Sequence, residues 1–140
     1  GVLTGLLHNS ATSSFFGLPN TANASRGTKS ALSVAPSHLC IGTGNQSETD
    51  CQSGTYLELI SLQGIHSGAN AISGDFSFGA SGFLAKDGKR IQPVRGITVA
   101  GNFYKMLGEI SAIGDTVHAD HGKSFFAPLI RFADLSVAGN

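Results

Sequence analysis

Apolar and polar positions alternate most clearly between residues 55 and 62, and this alternation predicts a strand. Tyr56 and Ile60 would face one side of the strand, and Leu57 and Leu59 the other. Residues 82–86 and 90–94 flank Asp87-Gly88, a pair that accepts positive φ, so they predict a two-residue hairpin.

Shorter apolar runs predict further strands at residues 2–7, 38–41, 97–100 and 125–137, with long polar loops at 18–37 and 115–124. Helices are predicted at 11–16, between capping residues 8–10 and Gly17, and as one turn from Ser47. A third helix is predicted from Asn102 as its cap to Gly114, because apolar residues recur at helical spacing. Together these elements predict an α+β but predominantly β domain. It would have a mixed, mostly antiparallel sheet curled into a barrel or sandwich, and one or two short helices.

The segment 64–83 carries glycine at five positions, which disfavours a helix and predicts an extended chain with a bulge or turn. Backbone without side chains can pair with an extended peptide, so we expect an added peptide strand along residues 68–82. The residues predicted to bind substrate are Gly64, His66, Asn70, Gly74, Asp75, Phe76 and Ser77.

Charged residues make up only 13% of the 140 positions, and the formal net charge is zero. The nine Lys and Arg residues are scattered, which argues against direct binding of nucleic acid. No apolar stretch is long enough to predict a membrane span, and Cys40 and Cys51 are expected to be free thiols. The low charge indicates a Ser/Thr/Asn-rich surface or one covered by another domain or subunit, as in a fragment of a longer protein.

No catalytic residue can be assigned from motifs. A His-Glu-x-x-His motif is absent, and no serine lies in Gly-x-Ser-x-Gly. His118 and His121 are three residues apart with acids nearby, and they are weak candidates for a metal site. His66 either polarises a peptide carbonyl or is a neutral structural imidazole. Asp75 is a candidate to pair with Arg26 or Arg95, or to accept exposed N–H groups.

Several segments resemble the C-terminal domain of the TldD/PmbA family, in the family's order and over nearly the whole chain. They are residues 73–83, Pro93-Val94, residues 97–102, Met106-Leu107, Ala127-Pro128 and residues 137–140. The segment 20–26 resembles the "sTgNAsR" segment of the PmbA (TldE) branch. Within these motifs, Asn23, Arg26, Gly101 and Asn102 match the family pattern.

The resemblance implies a single domain over 1–140 that follows its own N-terminal domain in a longer chain. It implies a cytoplasmic homo- or heterodimer that acts on extended peptides. TldD-type chains carry a cysteine just before the Gly-Asp/Glu-Phe segment, and this chain has residues 64–67 without one. The resemblance therefore implies no cofactor here and a zinc ion in a TldD-like subunit, with this chain as channel wall and subunit interface. The alternative is a non-catalytic interaction module, as in the family's description as a modulator of DNA gyrase.

Overall fold

The computed structural model describes residues 2–133 and 135–139, and these are mostly β-structure with three short helices. The elements are α1 (Ser10–Phe16), β1 (Ala24–Ser25), β2 (Ser33–Val34), β3 (Leu39–Cys40), α2 (Glu48–Cys51), β4 (Thr55–Gln63), β5 (Asp75–Lys86), β6 (Lys89–Asn102), α3 (Phe103–Gly108), β7 (Ile110–Ala119), β8 (Phe125–Phe132) and β9 (Ser136–Ala138).

The chain forms two compact units. The N-terminal unit contains residues 2–41 and 119–126, and the sheet unit contains residues 42–118 and 127–139. In the N-terminal unit, β1 pairs antiparallel with β2, and β3 pairs parallel with the first two residues of β8. Helix α1 begins as predicted, because Asn9 and Thr12 form a capping box, and it ends at Gly17.

The sheet unit is built on four antiparallel strands in the order β4-β5-β6-β9. Strands β5 and β6 form the predicted hairpin, with positive φ at Asp87 (49°) and Gly88 (77°). The predicted second strand of this hairpin and the strand at 97–100 are one continuous element, β6. The two short helical predictions at 11–16 and from Ser47 are confirmed as α1 and α2.

Strands β7 and β8 lie side by side, and residues of β8 line a cavity with β4 of the four-stranded sheet, which fits a sandwich-like arrangement. The Arg131 guanidinium on β8 donates to the carbonyl oxygens of Cys51, Ser53 and Thr55, which ties β8 to the start of β4. The same guanidinium lies 5.7 Å from the centre of the Tyr56 ring. The predominantly β fold and the mainly antiparallel pairing are therefore confirmed.

The buried core of the sheet is small, with Ala80, Ile97 and Val99 at its centre. Leu57 and Leu135 pack against it and are only partly buried. Many larger apolar side chains are exposed instead, among them Ile60 (58%). Many large apolar side chains of the described residues are therefore open to solvent.

Three predicted elements are wrong. Residues 2–7 form no strand. The helix expected to reach residue 113 ends at Gly108, and Ile110 already belongs to β7. The predicted polar loop at 115–124 is therefore strand up to Ala119. Cys40 and Cys51 are free thiols as predicted, the first exposed and the second buried.

Candidate functional site

The glycine-containing segment forms the predicted turn and strand, but the turn folds back against the strand. The amide of Gly68 donates to the carbonyl of Gly64 (2.8 Å), which closes one turn, and the amide of Gly74 donates to the carbonyl of Asn70 (2.8 Å), which closes a second. The amide of Ser77 then donates to the carbonyl of Gly68 (2.7 Å). These bonds place residues 68–70 along the first residues of β5.

The expected peptide strand along residues 68–82 is therefore wrong. Strand β5 is an inner strand, with β6 along its whole length and β4 along Gly79–Lys86. Its remaining residues pair with the chain's own turn, through the bridge between Ala69 and Phe76. Both hydrogen-bonding edges of β5 are occupied, so no further strand can be added there. Strand β4 is one edge strand of this sheet, and β9 is the other.

Asn102 joins the turn to α3. Its Nδ2 donates to the carbonyl of Ser73 and to Oδ1 of Asp75, both at 2.8 Å. Its Oδ1 accepts from the amides of Tyr104 (3.1 Å) and Lys105 (3.2 Å), as an N-cap does. One amide side chain thus fixes α3 relative to the 70–75 turn.

The sequence suggested Arg95 as a partner of Asp75 within the sheet unit, but Asp75 does not pair with it. The side chain of Asn102 is its main partner, followed by Ser73, and these hydrogen bonds lower the pKa of the Asp75 carboxyl. The interaction of Asp75 is therefore structural, since it orients the cap of α3. Tyr104 completes the arrangement, because its hydroxyl donates to the carbonyl of Ala71 (3.1 Å).

The turn, β4, β5 and α3 surround an open apolar cavity of about 410 Å³, which we call the aromatic groove. Its principal side chains are Leu59, Leu62, Phe76, Phe78, Phe103 and Tyr104. The rings of Phe76 and Phe78 stack at a centroid distance of 5.1 Å. Phe103 (47% exposed) and Tyr104 (57% exposed) form the solvent-side wall.

Three of the seven residues predicted to bind substrate line this groove, namely Asn70, Gly74 and Phe76. The other four, Gly64, His66, Asp75 and Ser77, are exposed and lie outside its lining. The residues that sequence reasoning missed come from β4 and α3. Their only signal was an apolar pattern, which a core strand or helix shows equally well.

A second cavity of about 460 Å³ lies between β4 and β8, and Tyr56, Glu58, Ile130 and Arg131 are among its walls. Glu58 forms a bidentate pair with Arg90 on β6, at 2.7 and 2.8 Å. This hydrogen bonding to Arg90 lowers the pKa of the Glu58 carboxyl. The pair holds β4 to the sheet across β5.

Three more residues match the family motif, namely Asn23, Arg26 and Gly101, and the contacts of Asn23 and Gly101 are structural. In the N-terminal unit, the Asn23 side chain donates to the carbonyl of Ala35 (3.3 Å). The backbone N–H of Asn23 donates to the carbonyl of His8 (3.0 Å). Arg26 is exposed. Gly101 lies opposite Phe76 in the sheet, where an added Cβ would be 3.2 Å from the Phe76 ring.

The part of the chain that the structure describes contains no group of three or more His, Cys, Asp or Glu residues placed to hold a metal ion. The imidazole of His118 contacts the carboxylate of Glu48. Asp120 accepts from the amides of Ser124 (2.7 Å) and Phe125 (3.0 Å), so it stabilises its own turn. The described residues therefore offer no donor set for a zinc ion, and we derive no catalytic step through a metal in this chain.

None of the helices in the described ranges has the length and apolar character needed to cross a membrane.

Comparison with known proteins gives consistent matches. Residues 1–139 match the family described as the PmbA/TldA metallopeptidase C-terminal domain. The chain is 34% identical over 89 residues to a metalloprotease PmbA homolog of Haemophilus influenzae, a match that covers 64% of this chain and 19% of that protein. It is 41% identical over 64 residues to metalloprotease PmbA of Escherichia coli O157:H7, covering 46% of this chain and 14% of that protein.

Two solved structures share the fold. One is a proposed modulator of DNA gyrase from Thermotoga maritima, with a TM-score of 0.67, 29% identity, and coverage of 99% of this chain and 31% of that one. The other is a proposed modulator of DNA gyrase from Bacteroides thetaiotaomicron, with a TM-score of 0.67, 23% identity, and coverage of 100% and 29%. The chain thus spans less than a third of the length of each of these relatives.

Proposed function

Because the chain belongs to the PmbA/TldD metallopeptidase family and matches the family's C-terminal domain, we propose that it forms one wall of the substrate path of a cytoplasmic metallopeptidase. The substrate is an unfolded peptide. A TldD-like partner subunit holds the zinc ion, which supplies the hydrolytic chemistry when bound. This chain contributes substrate contacts and part of the subunit interface.

The observation that carries the proposal is the aromatic groove. Its volume of about 410 Å³ lies within the range of about 300–1,000 Å³ typical of ligand pockets. Its lining is almost entirely apolar, and its wall of Phe103 and Tyr104 faces water. A Leu or Phe side chain of a peptide would gain about 1.5–3 kcal/mol by full burial in such a site.

The groove also lies beside the β4 edge of the sheet. Leu59 and Leu62 belong to edge strand β4 and line the groove. An extended peptide paired along an edge strand presents every second side chain to the same face. This geometry supports binding of extended chains rather than folded ones, at β4 rather than at β5.

The experiment uses the natural-length polypeptide that carries this sequence, purified together with a TldD-type subunit. Phe103→Ala is expected to raise KM for an unfolded, Leu- and Phe-rich peptide at least fivefold, with kcat changed less than twofold. Phe103 is 47% exposed, so its loss costs little in folding. The matched control is Phe125→Ala, a phenylalanine that is 41% exposed and outside the groove, and it should leave KM unchanged.

Equal KM values for the two variants would refute peptide binding in the groove. Full peptidase activity of this chain alone, without association with a TldD-type subunit, would refute the proposal that the partner subunit holds the zinc ion. If the pair forms but neither binds nor cleaves peptides, the chain is instead a non-catalytic interaction module.

A further inference from the structure

The two cavities of the sheet unit adjoin each other. Four side chains line both of them, namely Leu59, Val99, Phe132 and Leu135. The aromatic groove therefore continues past these side chains into the cavity between β4 and β8, and we call the two together the long recess. Its lining residues all belong to the sheet unit. Edge strand β4 follows the long recess from Thr55 at one end to Leu62 at the other.

The two ends of the long recess differ in charge. Among the described residues, no charged side chain lines the end formed by the aromatic groove. The other end is lined by two charged side chains, Glu58 and Arg131. The Glu58 carboxylate is neutralised by Arg90, to which it is joined by hydrogen bonds of 2.7 and 2.8 Å. The charge that remains at this end is therefore the positive charge of Arg131.

Arg131 is held by uncharged partners. Its guanidinium donates to the carbonyl oxygens of Ser53 (2.5 Å), Cys51 (3.4 Å) and Thr55 (3.5 Å). No carboxylate of the described residues forms an ion pair with it. A guanidinium is always charged, and it carries more N–H donors than these three bonds use. Its planar fork matches the two oxygens of a carboxylate, so Arg131 offers a site for an anionic group at this end of the long recess.

We propose that Arg131 binds the C-terminal carboxylate of a peptide whose large apolar side chain occupies the aromatic groove. This inference rests on the function proposed above, and it narrows the ligand to the end of a peptide chain. Strand β4 runs from Thr55, beside Arg131, to Leu62 in the aromatic groove. A peptide paired antiparallel to β4 ends on the Thr55 side, where its carboxylate meets the guanidinium.

The spacing along β4 determines which side chain of the peptide enters the groove. Leu59 is the first residue of β4 that lines the aromatic groove, and it follows Thr55 by four positions. At about 3.4 Å per residue, this distance is about 14 Å. The ligand is therefore a peptide with a Leu or Phe about four residues before a free C-terminus.

The test compares KM for such a peptide as the free acid and as its C-terminal amide. The enzyme is the natural-length polypeptide purified together with a TldD-type subunit. KM of the amide should be at least about tenfold higher, because the charge-assisted hydrogen bonds to Arg131 are lost. In Arg131→Gln the two KM values should agree within twofold. The matched control is Arg95→Gln, an exposed arginine outside both cavities, which should keep the wild-type ratio.

A third peptide, an amide that ends in Glu, distinguishes the chain end from an acidic side chain, and its KM should equal that of the plain amide. Circular dichroism checks that each variant is folded. If Arg131→Gln is not folded, Arg131→Lys decides the test, because it keeps the charge without the planar fork and should reduce the ratio of the two KM values at least threefold.

Equal KM values for the free acid and the amide in the wild type would overturn the proposal. It would also be overturned if the amide ending in Glu binds as well as the free acid, or if the folded Arg131 variant keeps the wild-type ratio. A loss of the ratio in Arg95→Gln as well would show that the effect is not specific to Arg131 and would overturn it too. Equal KM values for acid and amide, with KM still raised by Phe103→Ala, would refute this inference alone and leave the proposed function in place.

Discussion

Replacing Gly82 with alanine is expected to destabilise the sheet unit by about 2–4 kcal/mol, because a methyl group has no space there. A Cβ at this position would overlap the carbonyl oxygen of Glu58 and lie 3.1 Å from the Cα of Leu59. These are backbone atoms of β4, so rotation of a side chain cannot relieve the contact. Gly82 pairs with Leu59 next to the register shift between Leu59 and Ser61.

The magnitude follows from two contributions. Overpacking at a site that cannot relax costs about 1–3 kcal/mol. Moving β4 away from β5 also weakens ladder hydrogen bonds, each worth about 1 kcal/mol net. For a chain of this size, a loss in this range lowers Tm by roughly 10 °C.

The assay is urea unfolding followed by far-UV circular dichroism, since the chain contains no tryptophan for fluorescence. The control is Gly79→Ala on the same strand, where a Cβ would meet the Gln63 side chain at 3.6 Å, an ordinary contact. This control is expected to change the free energy of unfolding by less than about 1 kcal/mol. If Gly82→Ala costs no more than Gly79→Ala, the close approach of β4 and β5 is refuted.

Three further predictions concern single side chains. Asn102→Ala should cost about 1–2 kcal/mol in urea unfolding, because α3 loses its N-cap; a variant as stable as wild type would contradict this. Asp75 has a pKa lowered by hydrogen bonds from Asn102 and Ser73, so its contribution to stability is present at neutral pH and is lost below about pH 4. The difference in unfolding free energy between wild type and Asp75→Asn should therefore shrink on acidification, and a constant difference would count against it. Cys40 is exposed, whereas Cys51 is buried and burial raises its pKa; one thiol should react with Ellman's reagent in the native state and the second only on unfolding.

The sequence predicts well those elements whose ends are determined locally. Asn9 and Gly17 bound α1, Ser47 caps α2, and Asp87-Gly88 closes the hairpin, in each case through contacts within a few residues. The third helix was predicted to be longer than it is, because apolar residues continue at helical spacing beyond the end of α3 and into β7. Ile110 fits the helical spacing from Phe103, yet it lies in β7.

The position of a strand within its sheet is a non-local property, and sequence reasoning failed there. A glycine-rich strand indicates that another backbone approaches closely, but it does not identify that backbone. At Gly82 the neighbour is the chain's own β4. The groove likewise combines Leu59, Phe78 and Tyr104 from three elements, and no spacing in the sequence connects them.

Because of Pro93, the exposed edge of β6 and the edge strand β4 differ in their tendency to aggregate. Strand β6 pairs with β9 only at Thr98–Ala100, and Pro93 lies outside that pairing. A proline has no N–H to offer an incoming strand, and Arg95, two residues further on, adds positive charge. Strand β4 contains no proline and only one charged residue, Glu58. Edge-to-edge pairing with strands of other molecules, as in fibre formation, should therefore begin at β4 rather than at β6.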